Sequence, residues 1–150
     1  MPEARARVVL AFDFGLRRIG VACGDTISNA AAPATAIQVT DRGIDWSAIV
    51  RLLQRYQPDL LVVGSPRHAD GSRSALGERA DQFAAALGVR AGRPVQRTDE
   101  FASSIEAAAE LRSQRASGQR RRRVQHADID SAAAAIILER WLRGEGRIDE

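Results

Sequence analysis

Two hydrophobic periods divide this chain and restrict what it can fold into. Up to residue 40 the apolar side chains come in strand-like runs. Beyond it, helical stripes alternate with short apolar runs. Arg7 to Phe14 reads as a β-strand stopped by Gly15, and Arg18 to Gly24 as the second arm of a hairpin. Ala34 to Thr40, after Pro33, fits a third strand. Trp46, Ile49, Val50 and Leu53 then recur at helical spacing, with Pro58 ending the segment. Asp59 to Gly64 reads as a buried strand. Leu76, Ala80, Phe83 and Leu87 form a second helical stripe, which Gly88 should close as a C-cap. Pro94 to Asp99 predicts a strand, and Ser103 to Glu106 is a capping box that should open a helix. A last helix is expected from about Asp128 to Arg143, stopped by Gly144. The order β-β-β-α-β-α-β-α-α predicts an α/β fold. It has one mixed sheet, with three antiparallel strands, then parallel strands joined by crossover helices.

The 150 residues suit a single domain, which needs neither disulfide nor structural metal to hold its core. No linker or internal repeat marks a second unit, and residues 1–6 and 145–150 are expected to be flexible tails. No apolar run approaches the ~20 residues of a membrane span, and the N-terminus lacks a signal-peptide core. The lone Cys23 excludes an internal disulfide, so a cytoplasmic location is expected. Every one of the 22 basic residues is Arg, which carries the isoelectric point to about 10.3 on a net charge of only +3. Distribution matters more than the total: from Arg112 to Arg123 there are six arginines and no acid. Such a run would give sequence-independent affinity for a phosphate polymer, and otherwise reads as a solvated loop.

Three sets of carboxylates stand where acids are costly. Asp13 ends an apolar strand, on the face of Val9 and Ala11, where an ionised group must be paired or bound to a metal. An ion pair with Arg17 or Arg18 is the ordinary alternative. Asp99 and Glu100 close a strand, where parallel sheets place ligand sites, although acids at a helix entry also serve the dipole. Asp130 shares a helix face with Ala133, Ala134, Ile137 and Trp141, a face whose small residues allow close approach to a sheet. Hard oxygen ligands without paired His or Cys select Mg²⁺ or Mn²⁺. Acids plus a basic surface, without a GxxxxGK phosphate loop, point to phosphodiester cleavage rather than kinase chemistry. Arg67, His68 and Arg73 follow a strand directly, so Arg67 and Arg73 are candidate phosphate contacts, as are Arg17 and Arg18. His68 and His126 have no metal-ligand spacing with a partner.

These residues resemble the YqgF (RuvX) family. The similarity is carried by Leu10 to Gly15 with Arg18 to Ala22, and by Val62 to Pro66 with Asp70-Gly71. It continues in Thr98-Asp99-Glu100 and in Ile129 to Ala133. Four motifs in order, from about residue 8 to residue 143, are specific where each alone is weak. The resemblance implies an RNase H-like fold of the Holliday junction resolvase kind. It also implies a nuclease that matures the 5′ end of precursor 16S rRNA. The family's acidic positions fall on Asp13, on Asp99 or Glu100, and on Asp130. Two positions depart from the pattern: Phe101 stands where the family has Arg, and Asp128 where it often has Lys. Arg120, Arg121, Arg122 and Arg123 could replace that lost charge.

The expected activity is therefore metal-dependent hydrolysis of structured RNA by a single domain. Asp13, Asp99 and Asp130 are the expected ligands of Mg²⁺ or Mn²⁺, and Glu100 is a further catalytic candidate. Precursor rRNA and branched DNA are the candidate partners, and the chain is expected to be a monomer or a homodimer. A Holliday junction resolvase would need a two-fold dimer. A non-catalytic RNA-binding module, hinted at by Phe101, would tolerate Asp13→Asn. An actin-like ATPase would need a second lobe, for which 150 residues leave no room.

Overall fold

In the computed structural model, the structure describes residues 7–65, 74–99 and 126–145. Six strands form one sheet: β1 (Val8–Asp13), β2 (Arg18–Asp25), β3 (Ala31–Thr40), β4 (Gly43–Ile44), β5 (Leu60–Ser65) and β6 (Val95–Asp99), in the order β4-β3-β2-β1-β5-β6. β1 runs antiparallel to β2 and parallel to β5, and β6 continues parallel beyond β5. This is the predicted mixed sheet, with the hydrophobic β1 and β5 at its centre. Every residue of β5 is buried, as a strand covered on both faces requires.

Helices α1 (Trp46–Tyr56) and α2 (Ala75–Ala91) cover one face, and α3 (His126–Leu142) covers the other. The pleat sorts β1 between them. Leu10, Phe12 and the following Phe14 pack with Ile49 of α1 and with Ala80, Phe83 and Leu87 of α2. The Phe83 ring meets Phe12, Phe14 and Trp46 at 5.5–5.8 Å between centroids. Val9 and Ala11 face the other way, against Ala134, Ala135, Leu138 and Trp141 of α3. Burying side chains of this size contributes about 1.5–3 kcal/mol each for the larger ones. The two layers therefore fix which face of the sheet each remaining residue of β1 must take.

Several boundaries differ from the sequence expectation. β3 begins at Ala31 rather than Ala34 and runs through Pro33, opposite Ala22. At that point β3 has only β2 beside it, and an outer strand accommodates a residue without an N–H. β4 was not expected, since two residues show no period; it pairs with Val39 and Thr40 after a turn at Asp41-Arg42, and its first residue, Gly43, has φ +104°. α2 passes through Gly88 and ends at Gly92, whose left-handed backbone donates its N–H to the Gly88 carbonyl at 3.0 Å. Gly88 lies inside the helix against Val95, so the capping glycine is the second of two. α1 ends on a left-handed Gln57, one residue before Pro58. The capping box at Ser103 and the basic run lie outside the described residues.

Candidate nuclease site

β1 delivers Asp13 to the carboxyl end of the central strand, 9% exposed, on the α3 face it shares with Val9 and Ala11. Its cross-strand neighbours are Gly20 on β2 and Gly64 on β5. Both flanking positions therefore lack side chains. Gly20 has a second consequence. A Cβ there would overlap the main-chain carbonyl of Asp130. The first turns of α3 thus lie directly on β2 beside Asp13, and the alanines that follow Asp130 keep the helix at that distance. Gly20 is the neighbour that Asp13 and Asp130 share.

The Asp130 carboxylate is not isolated. Arg18 donates from Nε to Asp130 Oδ2 at 2.5 Å, and both side chains are about a quarter exposed. Arg18, one of the two arginines considered as a partner of Asp13, thus pairs with Asp130. Arg17 is exposed, and its carbonyl accepts from the Val39 N–H at 2.9 Å.

The third carboxylate position is one register step away. Thr98 lies in the row of Gly64 and Asp13, whereas Asp99 lies opposite Ser65. On the pleat, that row belongs to the α2 side. Ser65 donates from Oγ to Asp81 Oδ1 at 2.9 Å, and Arg97 Nη1 pairs with Asp81 Oδ2 at 2.9 Å. This Ser65–Asp81–Arg97 network, largely buried, ties the ends of β5 and β6 to α2 and was not anticipated. Asp81 follows Ala80 on the edge of an apolar stripe, and only the tertiary register shows what it meets. Glu100, Arg67, His68, Arg73 and Arg120 to Arg123 lie outside the described residues. Among the described residues no three His, Cys, Asp or Glu side chains gather closely enough to hold a metal ion. Among the described residues, Asp13 on β1 and the main chain of Asp130 on α3 thus adjoin the same Gly20, and Arg18 is the counter-ion of Asp130.

Similarity to known proteins follows the same outline. A relative from Xanthomonas oryzae, named "Putative pre-16S rRNA nuclease", is 44% identical over 146 residues, covering 95% of this chain and 94% of its own. One of the same name from Edwardsiella ictaluri is 39% identical over 141 residues, covering 94% and 98%. Among solved structures, Thermus thermophilus RuvC in complex with a Holliday junction substrate superposes with a TM-score of 0.57 at 13% identity, covering 95% of this chain and 99% of that one. A yeast mitochondrial Holliday junction resolvase gives 0.55 at 13% identity, covering 90% and 77%. At such identities the likeness concerns the fold, which is the RNase H-like arrangement expected from the sequence. The sequence model of RuvX, described as a Holliday junction resolvase, matches residues 7–144. With relatives this similar along nearly all of its length, the chain belongs to the RuvX (YqgF) family.

Proposed function

We propose that this chain is a divalent-metal-dependent nuclease that trims the 5′ end of precursor 16S rRNA, a role that fits a cytoplasmic location. The observation that carries this reading is Asp13. It is a buried carboxylate, flanked by two glycines, with Asp130 brought alongside through Gly20. Its substrate is taken from the names of the relatives. Asp13 and Asp130 fit Mg²⁺ or Mn²⁺ as hard oxygen donors.

Such an ion, when bound, supplies Lewis-acid polarisation of the phosphate and a water acidic enough to attack it. Asp13 fixes the position of that chemistry, because β1 is held from both sides of the sheet. Asp130 closes the site from the α3 side. Asp99 lies opposite Ser65, one register row away from Asp13, so Glu100, the other acid of the pair, is the proposed third acid. Arg17 and Arg18 at the mouth of the site, with Arg67, Arg73 and Arg120 to Arg123, are the proposed phosphate contacts.

The test is cleavage of a precursor 16S rRNA fragment in Mg²⁺ or Mn²⁺. Outer partners of metal ligands are worth 10–100-fold, so Asp13→Asn should lower the rate by at least about 100-fold. Equal rates in both proteins would reject the assignment. Glu100→Gln should match Asp13→Asn, and Asp99→Asn should cost less; the reverse order would return Asp99 to the ligand set. The RuvX description favours a second substrate, a four-way DNA junction. Cleavage of a junction by a chain that sizes as a homodimer, with the rRNA fragment left intact, would establish that reading instead.

A further inference from the structure

Arg18 on β2 pairs with Asp130 on α3, whose main chain lies against Gly20 of the same strand. Arg18 and Gly20 are two residues apart, so the pleat sends both toward α3. Asp13 is the register partner of Gly20, so Arg18 lies one step beyond Asp13 toward the open end of the sheet. Its main chain is held there by a tight turn. A Cβ at Gly15 would stand 2.5 Å from the Arg18 carbonyl oxygen, and only glycine admits that approach. The donor, the acceptor and the backbone beneath them are thus all positioned by close packing.

We propose that Arg18 is a resting counter-ion which a divalent cation must displace from Asp130. The exchange then makes the guanidinium available to a substrate phosphate. This rests on the nuclease reading and extends it, because it couples two binding events at one side chain. The reason is electrostatic. Arg18 takes Oδ2 of Asp130, and a doubly charged ion on the same carboxylate would repel the guanidinium at close range. The pair is partly exposed, and ion pairs in that setting are weak enough to exchange readily. A planar guanidinium with five donors, once released, is well matched to phosphate oxygens. By linkage, a metal that frees Arg18 tightens RNA binding, and RNA tightens metal binding by the same factor.

The experiment measures Mn²⁺ affinity by calorimetry or electron paramagnetic resonance, without any reaction. Arg18→Gln should bind Mn²⁺ about two- to five-fold more tightly than the wild type, in keeping with the small worth of a partly exposed pair. Arg18→Lys, which keeps the charge, should restore much of the competition. Arg17→Gln removes the same charge one residue away, without touching Asp130, and should leave the affinity near that of the wild type. With a short RNA of non-hydrolysable linkages, Mn²⁺ should tighten binding more in the wild type than in Arg18→Gln.

Equal affinities in the wild type and Arg18→Gln would overturn the proposal while leaving the metal site intact. Equal gains in Arg17→Gln and Arg18→Gln would overturn it in favour of a general field effect. If none of the proteins binds Mn²⁺, the nuclease reading fails as well as the exchange. Circular dichroism of Arg18→Gln checks that each comparison is made between folded proteins.

Discussion

Gly20→Ala adds one methyl group where the Asp130 carbonyl already stands. The backbone of α3 cannot rotate away as a flexible side chain could, so the helix must lift from the sheet. A loss of about 1–3 kcal/mol in stability is expected, read by thermal denaturation, with a fall in activity beyond what unfolding explains. A stable and fully active Gly20→Ala would show that close seating of Asp130 is not needed. Asp13 was legible in the sequence because a charge at the end of an apolar strand conflicts with its surroundings. Asp130 was legible as the polar opening of an apolar helix face. Gly20 and Gly64 gave no comparable signal, since a glycine in a strand shows its purpose only when its neighbours are known. For the same reason the sequence suggested Arg17 or Arg18 as a partner of Asp13 but gave no sign of the Arg18–Asp130 pair.

The starts of α1 and α2 each carry one capping side chain. Ser74 accepts the Gly77 N–H at 2.9 Å at the beginning of α2, and Ser74→Ala should cost about 1 kcal/mol in chemical denaturation. Asp45 caps α1, and its Oδ1 accepts from the Ser47 hydroxyl and the Ala48 N–H. Asp25 holds the turn after β2, where its carboxylate accepts from Ile27 and Ser28. Hydrogen bonds from Ser28 hold the Asp25 carboxyl below its ordinary 3.8, and the Ser47 hydroxyl does the same at Asp45. The folded values lie below the unfolded one, so both groups stabilise the fold above about pH 4. That contribution is lost as the pH falls through the lowered values. Denaturation midpoints measured down the acid limb should therefore fall less steeply in the double variant Asp25→Asn, Asp45→Asn. An unchanged acid limb would contradict this. Elements with a strong period, such as β1, β5 and α2, were readable from the chain. The end of α2 lies one turn beyond the sequence expectation because both Gly88 and Gly92 can terminate a helix, and the left-handed backbone falls at Gly92.

Across the whole molecule, the Arg-only basic composition should appear as salt-dependent RNA affinity. Replacing Arg120, Arg121, Arg122 and Arg123 by Ala should weaken RNA binding broadly. It should also flatten the plot of log affinity against log salt by about 0.7 for each arginine that meets a phosphate of a single strand. An unchanged slope would assign those arginines no contact. The sequence by itself determined the α/β class, the antiparallel-then-parallel strand order and the acids worth suspecting. These follow from periodicity and from the cost of charge on an apolar face, which are local properties. Tertiary structure decided which face of the sheet each described acid takes. A step of one residue in register turns a side chain to the opposite face of a sheet, and this step separates Asp99 from Asp13. Contact between α3 and Gly20 depends on two segments more than a hundred residues apart, and no local pattern records such a meeting.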